Sequence, residues 1–449
     1  MTEIDALLPQ LNECLVTDVD ARTGVAMDFG RIISELPRAV LRPQSAGDIS
    51  TVLRYADHHS IPVVARGRGH SGYGQAQVSD GIVVEMDHLA EVHHVGDDHV
   101  VVGAGARWLD VLHATLKQHR TPPVLTDYLG VSVGGTLSAG GVGGASHRHG
   151  VQTDNVLSLE VVTGDGVVRT CSPTESPDLF HAVLAGLGRC GVITQATLRL
   201  APAPARVRRY KLYYATAAEL LSHQRQLLHD GRFDFLQGQV LPVESGWTHM
   251  LEVATYYSPP EQPDDQTALH GLGYNSARDQ IDDLSYFDFA NRLADTATYL
   301  EQTGEWHHPH PWPNLFLPDS ATDAFLEPTL ADLQHADLGA SGLLLVYPIF
   351  TRPLTTPLFR VPDESVVFLV AGLRFAPPDD PAAPQRLIVA NRQWYETALE
   401  SAGTVYPVGT IPFDEADWRS HYGPTWAGLA AAKQRYDPRN ILRPGLVRN

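Results

Sequence analysis

Apolar positions recur at helical spacing through residues 45–59, where Ile49, Val52, Leu53 and Ala56 fall on one face behind an early Ser or Asp cap. The same spacing predicts helices over 108–119 and 217–229. Between them lie short apolar runs bounded by turn residues. Residues 62–65, 81–86, 99–103 and 342–349 read as strands. Residues 158–163 and 167–171 read as a hairpin, because the intervening Gly164-Asp165-Gly166 supplies the positive φ of a tight turn. Around residues 201–209 (APAPARVRR) the composition shifts to Pro and Ala, which marks a domain boundary. Residues 258–266 and 376–385 read as Pro- and acid-rich loops, and no repeat of solenoid period is present.

A length of 449 residues allows two or three domains with a substantial core. The formal charge of −19 argues against a nucleic-acid partner, which needs a cationic footprint. The N-terminal stretch is acidic, with no basic or apolar region of a signal peptide, and no apolar run approaches membrane-spanning length. The expectation is therefore a cytoplasmic protein with no membrane partner. Cys14, Cys171 and Cys190 form an odd, sparse set, which fits a reducing compartment and supplies no metal cluster. His307, His308 and His310 are close in sequence, but no carboxylate or Cys spacing completes a metal site, so none is expected.

The chemistry concentrates in two glycine-dense segments. The first, ARGRGHSGYGQ (65–75), follows a strand; small residues let successive backbone N–H groups turn toward one anion, as a nest for a diphosphate. The second, LGVSVGGTLSAGGVGGASHRHG (129–150), adds the hydroxyls of Ser132, Thr136 and Ser138. No Lys follows the glycines as a phosphate-binding loop requires. GRGHSG does spell G-x-G-x-x-G, yet the next segment reads as a strand, where a dinucleotide fingerprint needs a helix. A large cofactor lying between two loops is the reading that remains.

Here a family resemblance enters. RPQSAGDISTVLRYADHHSIPVVARGRGHSGYGQ resembles the PCMH-type FAD-binding domain of the vanillyl-alcohol-oxidase superfamily. TDYLGVSVGGTLSAGGVGGASHRHGVQTDNVLSLEVVTGDG, LFHAVLAGLGRCGVIT, HPHPWPNLFLP and KQRYDPRNILRPG are similar to the cytokinin dehydrogenases, in the same order. The resemblance implies bound FAD, with His70 of GRGHS as its covalent attachment point. Residues 134–150 lack the Cys that gives some relatives a second link. It further implies flavin contacts at Ala65, Gly67, Arg68, Gly69, Ser71 and Gln75 in the first loop, at Ser132, Ser138 and Val142 in the second, and at Ile193 beside the adenine. Near the C-terminus the chain departs from the family: a common Pro-Gly-Gln reads Pro444-Gly445-Leu446, and a Tyr on an earlier strand reads Val408.

On residue type alone Asp127, after Pro122-Pro123, reads as a turn residue. The resemblance makes it the catalytic acceptor of a hydrogen bond from a substrate's secondary amine, lying against the flavin. Gln237, in FDFLQG, stands where the family often has a Glu near the pocket entrance, keeping hydrogen bonding and losing charge. Trp312 and Asn314 match substrate-pocket positions, though an HPW turn equally packs its Trp as core.

The resulting expectation is an α+β flavoenzyme. A two-subdomain PCMH-type FAD-binding domain spans 1–203, completed by a C-terminal return over 405–449. A substrate domain, an antiparallel sheet flanked by helices, spans 204–404. The expected reaction oxidises the N6-alkyl side chain of an adenine cytokinin, with a quinone-like molecule or O2 as electron acceptor, by a monomer or homodimer. Rivals are a related flavoenzyme acting on another amine or alcohol, a flavin-binding sensor or carrier without turnover, and a carbohydrate-binding or interaction module.

Overall fold

The computed structural model describes Leu11 and residues 14–244 and 246–445. Most of the N-terminal stretch read above, and Leu446 of the Pro-Gly-Leu run, lie outside the described residues.

Three large sheets organise the described residues, beside a two-stranded pair of Arg120–Thr121 with Ala201–Pro202. In the first, Ala39–Leu41, Ile82–Glu85 and Val63–Arg66 run parallel, with Leu15–Val16 antiparallel at one edge. The helix Ala46–His59 crosses between the first two of these along the chain. It starts where Ser45 and Asp48 cap one another reciprocally, and it buries Ile49, Val52, Leu53 and Ala56. The second sheet is antiparallel, in the order Val92–Val95, His99–Gly103, Gly191–Arg199, Val156–Thr163, Val168–Cys171. Its last two strands form the expected hairpin, pairing Leu159 with Cys171, and the turn places Gly166 at φ 74°.

The third sheet is antiparallel and has eight strands. In spatial order they are Gln280–Ser285, Arg206–Tyr214, Gly246–Tyr257, Phe235–Val243, Leu343–Phe350, Val366–Leu373, Asn314–Pro318 and Thr404–Val405. The Pro/Ala stretch leads into its first strand, Arg206–Tyr214. The helix Ala217–Asp230, with a Thr216/Glu219 capping box, packs on the sheet through Leu220, Leu221, Leu227 and Leu228. Two of the acid-rich loops are shorter than their composition implied: helices begin inside them at Asp265 and Ala383. The helix from Trp108 ends at Leu116, and His119 turns away at φ 55°.

After the third sheet the chain returns to the first. The Val63 N–H donates to the Ile441 carbonyl at 2.8 Å, and Lys433 binds Asp437 at 2.5 Å. Asp437 is fully buried and accepts the N–H groups of Ile441 and Leu442, both at 2.9 Å. Among the described residues no helix is long and apolar enough to cross a membrane.

This return also holds a titration liability. His421 lies buried in the helix Glu415–Tyr422 against Phe413, Trp418 and Tyr422, and among the described residues neither ring nitrogen has a hydrogen-bond partner. Burial, with the Arg360 and Arg189 charges, pushes its pKa from 6.5 down to about 3. Below pH 6.5 the unfolded chain therefore takes up a proton that the folded chain refuses. Stability falls with pH by about 1.4 kcal/mol per unit from this ring alone. Replacing His421→Phe keeps an aromatic ring in the cluster and removes the titration. The variant is expected to retain about 2 to 3 kcal/mol that wild type loses between pH 6.5 and 4.5, read from denaturant midpoints at the two pH values. An equal pH loss in both proteins would contradict the assignment.

Candidate active site

The two glycine-dense segments face each other across a cleft with about 1110 Å³ of empty space, part of it open to solvent. From the first segment Ala65, Gly67, Arg68, Gly69, His70, Ser71 and Gln75 line it. From the second come Ser132 and Ser138, and Ile193 closes the far side. The loops meet too closely for larger residues: a Cβ on Gly67 would stand 1.9 Å from the Ser132 Oγ. As expected for a loop that is not a dinucleotide fingerprint, the next regular strand after it is Ile82–Glu85, with no helix between.

The second segment is not a continuous loop. It folds into a short helix, Val133–Leu137, and a single turn of helix, Ser146–His149. Ser132 stands at the first of these in an extended conformation and makes no capping bond, so its hydroxyl is left to the cleft. Ser138 is committed otherwise, donating to the Gly134 carbonyl at 2.8 Å. Val408, one of the positions where the chain departs from the family, lines the cleft, and so does Pro444. A tyrosine is present as well: Tyr406 lines the cleft and its hydroxyl accepts the Gly141 N–H at 3.0 Å.

Asp127 and Val142 were expected among the cofactor contacts, and neither lines this cleft. Val142 is packed partly buried against the core beside Gly141. Asp127 is drawn instead to the third sheet. Its Oδ1 accepts from the Arg292 guanidinium at 2.5 Å, and its Oδ2 accepts from the Gln237 amide at 3.2 Å and from the Tyr347 hydroxyl. The residue after Asp127, Tyr128, turns the other way, with its ring 5.2 Å from that of His70.

The network around Asp127 is buried and alternates in sign. Arg292 lies 3.5 Å from Glu252, and Glu252 lies 3.6 Å from Arg209, which binds Asp282 at 2.5 Å. Phe235 and Phe289 flank the Arg292 cation at 4.7 and 4.9 Å. Burial by itself would lower the Arg292 pKa, but the charges of Asp127 and Glu252 outweigh it and raise it. Burial, then the Asp127 charge, pushes the Tyr347 phenol well above its ordinary value, so it remains a proton donor. Gln237 suits this setting: its amide N–H donates to Asp127, while its carbonyl accepts from Arg292 at 3.2 Å. A carboxylate there would lose the donor and face Asp127 with like charge.

An ionised carboxylate offers about four lone-pair positions, and three donors occupy Asp127, leaving one for an incoming N–H or O–H. Arg292 and Tyr347 were not singled out from the sequence. Tyr347 stands in the GLLLVYPI strand and could have been noticed as a polar ring in an apolar run. Arg292 follows a short helix and carries no such signal.

Aromatic rings surround His70. Phe29 stacks on His70 with centroids 4.0 Å apart, and Trp306 and Trp312 lie 6.0 and 6.4 Å away. Burial pushes His70 from 6.5 down to about 4, so its imidazole is neutral at neutral pH. Among the described residues neither of its nitrogens makes a hydrogen bond. Trp312 is oriented by a bond from its Nε1 to the Arg374 carbonyl at 2.9 Å. Asn314 is buried beside Gly409, with its amide nitrogen unpartnered. The neighbouring histidines serve other partners: His307 bonds Arg31 at 2.9 Å and His310 bonds the Phe29 carbonyl at 2.8 Å. Among the described residues no group of His, Cys, Asp and Glu is placed to hold a metal ion.

Comparison with known proteins bears on this geometry. Residues 37–172 match the family model described as FAD binding domain, and residues 243–447 match that of cytokinin dehydrogenase 1, FAD and cytokinin binding. An uncharacterized oxidoreductase, ORF5 in the fasciation locus of Rhodococcoides fascians, is 43% identical over 96% of this chain and 97% of its own. Cytokinin dehydrogenase 2 of Arabidopsis thaliana is 33% identical over 97% of this chain and 93% of its own. Among solved structures, a chitooligosaccharide oxidase superposes with a TM-score of 0.80 at 19% identity, covering 99% of both chains, a likeness of fold.

Proposed function

The chain belongs to the cytokinin dehydrogenase family of FAD-dependent oxidoreductases, and from that membership we propose that it oxidises the N6-alkyl side chain of an adenine cytokinin, with Asp127 receiving the amine N–H and His70 carrying the FAD. The observation that supports this most is the carboxylate of Asp127, held by Arg292, Gln237 and Tyr347 with one acceptor position left. The residues of the cleft fit the cofactor: two glycine-bearing segments approach within side-chain contact, and the neutral imidazole of His70, stacked on Phe29, lines it.

Bound FAD supplies the two-electron acceptor. The chain supplies position and proton handling. Asp127 accepts the hydrogen bond of the secondary amine, which raises electron density on nitrogen and weakens the adjacent C–H bond. The substrate loses a hydride from carbon and a proton from nitrogen and becomes an imine. Water then adds and releases adenine and an aldehyde. Phe235, Phe289 and Tyr347 keep bulk water from the ion pair, so the carboxylate acts in a medium where its charge is felt strongly. A quinone-like molecule or O2 takes the electrons and closes the cycle.

When FAD is bound, a ring nitrogen of His70 would be the point of its covalent attachment. The neutral imidazole favours this attachment, because a protonated one has no free lone pair.

A second reading, another secondary amine or an alcohol as substrate, is favoured by Gln237, whose uncharged amide replaces the family's frequent Glu. One experiment separates the two. Anaerobic mixing of the yellow holoenzyme with N6-isopentenyladenine is expected to bleach the flavin within a turnover time and to yield adenine. Flavin that stays yellow with the cytokinin but bleaches with another amine or an alcohol decides for the second reading.

A further inference from the structure

The segment between the first two strands of the first sheet, Leu15–Val16 and Ala39–Leu41, carries a feature that the sequence patterns do not mark. Asp28 is buried, and its Oδ2 accepts the Ser71 hydroxyl at 3.0 Å and the Gly74 N–H at 2.6 Å. The backbone beside it grips the same loop. The Phe29 N–H donates to the Gly69 carbonyl at 2.7 Å and the Gly30 N–H to the Ser71 carbonyl at 2.9 Å, one contact on each side of His70. The Phe29 ring then stacks on the imidazole at 4.0 Å and 29°. The approach is so close that a Cβ on Gly30 would fall 1.9 Å from the Gly72 carbonyl oxygen.

The brace is itself anchored. Arg66 donates to the Met27 carbonyl at 2.8 Å, Arg31 bonds His307, and His310 bonds the Phe29 carbonyl. Burial raises the Asp28 pKa to about 6 against the pull of Gly74, Ser71, Arg66 and the Arg31 backbone, and among the described residues no hydrogen-bond donor within bonding geometry meets its buried Oδ1. An acid kept at that cost, with both bonds of its other oxygen spent on the His70 loop, is there for the loop.

We propose that Asp28, with Phe29 stacked on the ring, is a positioning residue that fixes the His70 imidazole for its covalent bond to the flavin. The inference rests on the reading of His70 as the attachment point. Asp28 touches neither reacting atom. It removes freedom from the loop, so that the imidazole waits in one orientation instead of sampling several.

The test incubates the full purified chain with FAD and follows, over time, the flavin that survives acid denaturation, beside the total FAD bound. Asp28→Ala is expected to bind FAD and to attach it at least tenfold more slowly. Asp28→Asn can set its amide oxygen where Oδ2 stands and accept from both Ser71 and Gly74, so it is expected to attach within about threefold of wild type. Phe29→Leu, which keeps the hydrogen bonds and loses the stack, is also expected to be slow, and it carries the test should Asp28→Ala not fold. Attachment at the wild-type rate in Asp28→Ala, or in Phe29→Leu in its place, overturns the proposal. His70→Ala is the reference in which acid releases all the flavin. A wild-type chain that also releases all its flavin sinks the His70 reading itself, a result distinguishable from failure of the brace.

Discussion

Asp127→Asn is expected to bind FAD as wild type does and to turn over roughly 10² to 10⁴ times more slowly, the range for losing a positioned acid or base. The cleft for the cofactor does not include Asp127, so its replacement leaves the FAD contacts intact. What changes is the acceptor. In wild type every polar atom around the carboxylate points a hydrogen at it: the Arg292 guanidinium, the Gln237 amide and the Tyr347 hydroxyl. Asn offers one oxygen and one NH2 group to those donors. Its oxygen stays with Arg292, and its amide then faces the hydrogens of Gln237 and Tyr347. The oxygen's second lone pair can still meet a substrate N–H, but the amide carries no charge to draw that hydrogen and can take no proton. The measurement is kcat from stopped-flow reduction of the flavin, beside the acid-stable flavin content. Turnover within about threefold of wild type, with every reducing substrate tried, would remove Asp127 from the mechanism.

Much of this frame is legible in the sequence because it rests on local rules. Ser45 and Asp48 cap a helix whose apolar face follows at the right spacing. Gly164-Asp165-Gly166 can only be a turn, and the strands on either side pair as read. The cleft is legible for a similar reason: glycines and small hydroxyl residues cluster where a backbone must approach a ligand, and that clustering is visible in one dimension. The surroundings of Asp127 are not. Arg292 and Tyr347 reach it from 165 and 220 residues away, so only the third sheet brings them together. Gln237 could be read as a loss of charge but not as a bridge, because its second partner is Arg292. Asp28 and Phe29 lie in an irregular segment with no periodicity, and their role depends on two hydrogen bonds to a loop more than forty residues later.

Arg292→Met is expected to be the most destabilising single change at the site, by about 3 to 5 kcal/mol, because it strands buried carboxylates whose cation is gone. Asp127 would keep only the Gln237 and Tyr347 bonds, and Glu252 only the contact with Arg209 at 3.6 Å. The methionine fills the space between Phe235 and Phe289 but supplies no charge. Arg292→Lys restores the charge without the planar group whose Nη2 reaches Asp127 and Gln237 while its Nε faces Glu252, and it is expected to recover part of the loss. The double variant Arg292→Met with Glu252→Gln removes one of the stranded charges and is expected to be more stable than Arg292→Met alone. Urea unfolding of the four proteins gives the comparison. The double variant also separates two roles of the arginine. If Arg292 served stability alone, recovering the fold would recover turnover. If it orients Asp127, turnover stays low in a folded protein, because the carboxylate has lost the partner that fixes its Oδ1. An Arg292→Met protein within about 1 kcal/mol of wild type would mean that the buried ion pair is not the support assigned to it.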